Sequence, residues 1–307
     1  MEDQHTPEIS VCICTYKRPA LLLKLLGSLA NQTFPLARFE VIVVDNDKLA
    51  SAMQVIKQAE QLYPTLAVRY DICPTQGIAY ARNRSVALAA GELIAFIDDD
   101  EWAVRHWLSD MALCIEKSDV DAVLGPVIPK YPAGSRPWVV KSLFFERPRF
   151  RTGTIITSEM CRTGNALIKA CRLKSRQPLP FDERLAHSGG EDFDFFKWFE
   201  GQGGKAIWCD TAEVSEVVPV GRQTLRYMLD RGLRVSALYW KNINQTRSNI
   251  GAFSEAILGG GIGVAFAVLG LCLLPAGMHH AAPRWVTSAK GFGRVVALVD
   301  IQLTGYR

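Results

Sequence analysis

Two groups of acids stand out by type and spacing. Asp98, Asp99, Asp100 and Glu101 follow one another directly after the apolar run "ELIAFI", and Glu191, Asp192 and Asp194 crowd into "SGGEDFDFF". Adjacent carboxylates repel, so a row of them at the mouth of a buried strand is costly unless something positive meets it. A hard divalent cation does so. Mg2+ or Mn2+ takes oxygen ligands, commonly one or two carboxylates with substrate phosphates and water completing the shell. A diphosphate bridged by such an ion leaves readily, because the metal neutralises the charge that develops on departure. In an extended segment Asp98 and Asp100 point to one side and Asp99 to the other, so metal is expected on one side and a substrate hydroxyl on the other. The plainer alternative is an acidic turn capping the helix that follows.

The second group comes after Gly189 and Gly190 and opens a helix-like segment. Backbone N–H groups at a helix start favour the ionised carboxylate, which suits a base needed at neutral pH. A simple cap is the competing role for Asp192. The phosphate chemistry is not that of a glycine-rich cradle: "TYKRPALL", after the first strand-like run, contains no glycine. That argues against a nicotinamide enzyme and against a P-loop kinase or ATPase, and leaves side chains and metal to grip a nucleotide.

The elements that must position these groups alternate regularly. "EISVCICT", "FEVIVVD", "LAVRYD", "ELIAFID" and "VDAVLGPV" read as strands, separated by the helix-length segments "RPALLLKLLGSLANQ", "LASAMQVIKQAEQLY", "GIAYARNRSVALAA" and "AVRHWLSDMALCIEK". Continuous apolar strands alternating with helices imply an α/β fold with a parallel sheet covered on both faces, whose ligands gather at the carboxyl ends of the strands. Thr15, Asp45 and Asp98 fall at such ends. Residues 127–220 are less regular, with "GTIIT", "GNALIKA", "KAIWC" and "AEVSEVV" as short strands, and read as an acceptor-side half of the same domain.

The tail changes character. Residues 221–247 read as a basic amphipathic helix, and 256–277 form an uncharged stretch long enough to cross a hydrocarbon core. A shorter apolar piece, "RVVALVDIQL", follows. Small residues at Gly259 and Gly263 would let another helix approach closely. The tail is expected to associate with a membrane surface, either as one span or lying along it. A buried core helix is the alternative.

Composition narrows the class. Of 307 residues, 49% are hydrophobic and 21% charged, as in a globular protein, and a net charge of +4 without a basic, aromatic-studded stripe argues against nucleic acid. Eight cysteines without a CxxC pair fit buried thiols in a reduced compartment. The polar start "MEDQHTPEIS" has no secretory pattern, so the soluble part is expected to be cytoplasmic.

The ordered set "VCICTYKRPALL", "FEVIVVDND", "GIAYARNRSVALAAGELIAFIDDDEW", "TGNALI" and "GGEDFDFF" resembles glycosyltransferase family 2, with its Rossmann-like GT-A fold, over about the first 220 residues. "VLGPV", "RTGNAL" and "SGGEDFDFF" are similar to the succinoglycan-type β-glucosyltransferases of bacterial exopolysaccharide assembly. The resemblance implies a GT-A domain over 1–220, with a nucleotide-sugar half (1–126) and an acceptor-side half (127–220); the tail's own pattern makes 221–307 a helical membrane-association region. The resemblance also implies an inverting transferase using Mg2+ or Mn2+. The donor would be UDP-glucose or a similar UDP-sugar, and the acceptor a lipid-linked sugar or oligosaccharide at the cytoplasmic face of the inner membrane. By the same resemblance Thr15, Tyr16 and Asp45 would line the nucleoside pocket, with Arg82 and Asn83 facing the nucleotide. Asp98 and Asp99 would hold ribose or sugar hydroxyls, and Asp100, with Asp98, the metal. Asp192 would be the base, Glu191 its orienting neighbour, and Gly164 and Asn165 the acceptor border. The chain departs from the pattern at one place: where relatives often read "HEPVP", it reads "SEVVP", with Ser215 and Glu216. Glu216 or His187 would have to replace that histidine, unless the metal relies on Asp100. A nucleotidyltransferase making nucleotide sugars and a non-catalytic membrane-anchored binding protein are the competing functions.

Overall fold

The computed structural model describes residues 6–244 and 249–298. In chain order the elements are β1 (Ile9–Thr15), α1 (Pro19–Ala30), β2 (Phe39–Asp45), α2 (Met53–Leu62), β3 (Val68–Ile72), α3 (Ile78–Leu88), β4 (Leu93–Ile97) and β5 (Glu101–Ala103). Then come α4 (Trp107–Glu116), β6 (Ala122–Leu124), β7 (Val127–Lys130), α5 (Pro137–Ser142), β8 (Ile155–Ile156), β9 (Asn165–Lys169) and α6 (Ala170–Ser175). The remaining described elements are α7 (Glu191–Gly201), β10 (Ala206–Trp208), β11 (Val214–Val217), α8 (Leu225–Asn244), α9 (Asn249–Leu273) and α10 (Met278–Leu298). They form two compact units. One comprises Met1–Ile128, Arg147–His187 and Glu191–Glu216; the other comprises Pro129–Glu146, Ser188–Gly190 and Val217–Arg307.

The first unit is built on an eight-stranded sheet in the order β3-β2-β1-β4-β9-β6-β10-β8. Strict alternation along β1 sorts its side chains between two cores. Ile9, Val11 and Ile13 join leucines of α1 and Trp107, Leu108 and Met111 of α4. Cys12 joins Val86 of α3, Leu173 of α6 and Phe195, Phe196 and Phe199 of α7 on the other face. Each large apolar side chain fully buried in this way contributes roughly 1.5–3 kcal/mol. Pro19 sits in the first turn of α1, where its missing N–H loses no helical bond.

Register brings the strand ends level. β1 runs parallel to β2 from Ile9 opposite Phe39 to Thr15 opposite Asp45, and parallel to β4 with Cys12 opposite Phe96. The residues after all three strands therefore emerge along one edge.

Three elements differ from the alternation read in the sequence. β9 lies antiparallel between β4 and β6, so the sheet is mixed. "VDAVLGPV" is two short strands broken at Gly125–Pro126, and only glycine fits at 125, since a Cβ there would lie 2.3 Å from the Ala212 carbonyl oxygen. The segment after the acidic row first forms β5, pairing antiparallel with β11, before α4 begins. Three residues are too few to show a period.

In the second unit α10 packs against both α8 and α9. Met228 of α8, Val286 of α10 and Val139 of α5 share a small core edged by Trp138, Phe144 and Phe145. Phe253–Ala276 is the one helical stretch, among the described residues, long and apolar enough to cross a membrane. The first five residues of "RVVALVDIQL" continue α10; residues 299–303 lie outside the described residues, as do 245–247 of the expected amphipathic helix.

Candidate active site

The acidic row is a turn, not an extended segment. The Glu101 amide donates to the Asp98 carbonyl (3.0 Å), and Glu101 Oε2 accepts from the Asp98 amide (3.0 Å). The expected two-sided split of the aspartates is thereby corrected. Asp99 and Asp100 turn together towards Arg18, whose Nη1 lies 3.0 Å from each, while Asp98 lies 3.6 Å from Arg82. Thr15, at the end of β1, donates to Asp99 Oδ2 at 2.8 Å. Asp99 is 5% exposed, and burial, opposed by Arg18, pushes its carboxyl up to about 6. Asp98 is raised by desolvation within the recess, opposed by Arg82 and reinforced by Asp100, although nearly half of its side-chain surface reaches solvent. Glu101, 2% exposed, is raised well above the usual range by burial and by Asp98.

Arg82 projects from α3 and joins the two acidic groups. It is 7% exposed, donates to Glu191 Oε1 at the start of α7 and faces Asp98 at 3.6 Å. Glu191 is 3% exposed, and its Oε2 accepts no hydrogen bond among the described residues. Burial raises Glu191, with Arg82 opposing and Asp192 adding to the rise. Asp192 is half-buried and accepts from the Phe193 amide at 2.7 Å; its charge reaches both Asp98 and Glu191. Gly189 and Gly190, with φ of 80° and 90°, supply the left-handed backbone that starts α7 at Glu191. Asp194 turns aside and pairs with Arg176 at 2.6 Å.

Several named residues have structural partners. Asp45 is fully buried: Oδ1 accepts from the Asp47 amide, and Oδ2 from the Ala52 amide and the Tyr70 hydroxyl. It shapes the loop after β2 and offers no exposed oxygen. Asn83 is bonded both ways to the Phe181 backbone (2.9 Å each). Asn165, 2% exposed, accepts from Trp107 Nε1 (2.8 Å) and donates to the Pro126 and Ala212 carbonyls. Gly164 belongs to the acidic turn, since a Cβ there would lie 3.1 Å from Asp98 Oδ2 and from Glu101 Oε1. Tyr16 is 36% exposed and follows Thr15, which bonds Asp99 of the turn.

Where relatives often carry histidine, Ser215 is buried opposite Trp102, and Glu216 stands opposite Glu101 across the β5–β11 pair. Glu216 thus reaches the acidic turn, paired with Arg147 at 3.1 Å, while His187 is exposed. Arg147 also lowers Asp98 and Glu101 electrostatically, so it faces the same cluster. Arg18 and Arg147 were not singled out in the sequence. The signal for Arg18 was its place just after a strand end; Arg147 sits in an irregular loop and carried none.

The hard donors of this turn are two carboxylates held by different arginines, Asp100 by Arg18 and Asp98 by Arg82. Among the described residues no three His, Cys, Asp or Glu side chains gather to hold an ion. Two hard oxygen donors, Asp98 and Asp100, do occupy one turn, and a site of one or two carboxylates completed by phosphate oxygens and water is the usual habit of Mg2+.

The model of "Glycosyl transferase family 2" matches residues 10–171. The chain is 31% identical to the succinoglycan biosynthesis protein ExoM of Rhizobium meliloti, over 98% of this chain and 97% of that one. Among solved structures it is similar to S. aureus TarS 1-349 in complex with UDP (TM-score 0.54, 20% identity, 95% of this chain and 92% of that one). It is also similar to the mannosyltransferase PcManGT of Pyrobaculum calidifontis in complex with GDP-Man and Mn2+ (TM-score 0.60, 19% identity, 96% and 75%). The chain belongs to glycosyltransferase family 2, and it is a glycosyltransferase with the GT-A fold.

Proposed function

We propose that this transferase moves glucose from UDP-glucose, with inversion, to a lipid-linked or oligosaccharide acceptor in the assembly of a bacterial exopolysaccharide. It works at the cytoplasmic face of the inner membrane. The observation that carries the reading is the Arg82 bridge. One buried guanidinium ties the start of α7, where Asp192 stands, to Asp98 of the acidic turn. A base and a diphosphate site would thereby be held at one strand-end edge, which an inverting displacement requires.

Asp192 takes the proton from the acceptor hydroxyl as its oxygen attacks the anomeric carbon from the face opposite the diphosphate. The bond to the diphosphate oxygen breaks as the new glycosidic bond forms, through an oxocarbenium-like transition state. Glu191, fixed by Arg82, holds the end of α7 in place and keeps its neighbour aimed. Asp98 and Asp100 would hold Mg2+ or Mn2+, which, when bound, neutralises charge on the departing diphosphate. Asp98 accepts from a donor hydroxyl with its remaining lone pairs. Asp99, locked by Thr15 and Arg18, sets the turn's shape. Tyr16 and the loop organised by Asp45 border the nucleoside.

Support for the pathway comes from the relative named for succinoglycan biosynthesis, and for the nucleotide from the neighbour solved with UDP. The test is a panel of nucleotide sugars incubated with full-length protein and Mg2+ or Mn2+, following nucleoside diphosphate release and the anomeric configuration of the product. UDP release with UDP-glucose and an inverted product support the reading. Release of pyrophosphate, or retention of configuration, overturns it.

A further inference from the structure

Length and composition would let α9 cross a bilayer: Phe253–Ala276 has a mean hydropathy of 2.4 over its most apolar window, of which 17% is buried. Its partner helix forbids it. α10 returns along α9 in antiparallel register, pairing Gly259 with Gly291 and Arg294, Gly263 with Ser288 and Phe292, and Gly270 with Trp285. Trp285 Nε1 also donates to the Ala267 carbonyl at 3.2 Å. The contact is backbone to backbone: a Cβ on Gly291 would lie 2.4 Å from the Gly259 carbonyl oxygen and 2.9 Å from Gly263 Cα. Whatever depth the middle of α9 reaches, the middle of α10 must reach too. That helix carries Arg284, Lys290 and Arg294, and charges at the bilayer centre are costly.

We propose that α9 and α10 form a monotopic hairpin lying in one leaflet of an anionic membrane. This rests on the membrane reading of the tail and chooses within it. Ile257, Leu258, Val264, Val268 and Leu271 of α9 are all more than half exposed and enter the acyl boundary. Phe292 and Val295 of α10, beside Gly263 and Gly260, extend that apolar surface. Lys290 and Arg294, four residues apart and so on one side of α10, stay with the lipid phosphates. Charge selects lipid over a second copy of the chain. Residues 249–298 carry three cations and one acid, Glu255, so a second copy would leave the cations largely unanswered while anionic headgroups answer Lys290 and Arg294.

The test uses full-length protein with its two exposed cysteines replaced (Cys171→Ser, Cys272→Ser) and one new cysteine at a time: Ile262→Cys, Ala276→Cys or Lys290→Cys. Each is bound to phosphatidylcholine vesicles with and without phosphatidylglycerol, floated, and labelled from outside with a membrane-impermeant maleimide. The expected result is flotation that rises with phosphatidylglycerol, labelling of both Ala276→Cys and Lys290→Cys, and protection of Ile262→Cys. Labelling of Ala276→Cys only after detergent would mean a span and overturn the proposal. Failure to float with either vesicle overturns the membrane reading itself, and a stable lipid-free dimer protecting Ile262→Cys assigns the face to a second copy.

Discussion

Replacing Arg82 by methionine removes a buried cation that touches both acidic groups. The substitution keeps most of the side-chain volume, so its cost is electrostatic. Arg82 is 7% exposed, and Glu191, 3% exposed, already has one oxygen without a hydrogen bond among the described residues. Breaking a buried pair by removing one partner costs about 3–5 kcal/mol, because the remaining charge is left desolvated. The sign with pH follows from Glu191. Its carboxyl is raised above its ordinary value by burial with Arg82 opposing, so the stability it contributes is present at low pH and is lost as pH rises through its folded value. Without Arg82 that value moves higher still. The Arg82→Met deficit should therefore be largest at neutral pH and shrink towards pH values near the ordinary carboxylate range. Urea unfolding followed by tryptophan emission at several pH values measures it. A double variant with Glu191→Gln should recover roughly 2–3 kcal/mol relative to the sum of the single changes. A deficit that does not vary with pH, or additivity of the two changes, would show that Arg82 and Glu191 are not coupled and would remove the bridge from the functional argument.

Asp192→Asn should lower turnover by roughly 10²–10⁴-fold while leaving UDP affinity nearly unchanged, by single-turnover kinetics and calorimetry; near-normal turnover would remove it as the base. Asp100→Ala should abolish the gain in UDP affinity that Mg2+ or Mn2+ gives over EDTA, and an undiminished gain would refute the ligand assignment. Asn165→Ala should destabilise the first unit by about 2–4 kcal/mol, since Trp107 Nε1 and two carbonyls lose their partner together. Thermal unfolding unchanged by that substitution would contradict the structural role given to Asn165.

The layered α/β plan was legible because its signal repeats: β1, β2 and β4 are largely apolar, buried runs, and the segments between them have room for helices that cover them. What escaped was short or reversed. β5 has three residues, and the direction of β9 depends on where β6 lies, which "GNALIKA" does not encode. The tail was legible as apolar and helical. Its relation to a bilayer was not, because the constraint is the antiparallel packing of Gly259 and Gly263 against α10, a pairing of residues about thirty apart that no local window contains.

At the site, residue type and position along a strand predicted proximity better than role. Asp45, Asn83 and Asn165 all stand where ligand-binding side chains would stand, and all three are consumed by partners: Tyr70, Phe181 and Trp107. A carboxylate or carboxamide, at a strand end as in Asp45 and Asn165 or on a covering helix as in Asn83, has two uses, to meet substrate or to satisfy backbone groups outside the ladder, and the sequence looks the same for both. Arg82 resolves differently. In "ARN" it reads as a phosphate-facing guanidinium, yet its buried position between Glu191 and Asp98 makes it a brace between the start of α7 and the acidic turn, where the proposed base and donor sites lie. An exposed arginine in that helix would bind anions and organise nothing; the same arginine buried between two acids fixes how far apart they stand, and that separation is what an in-line displacement depends on.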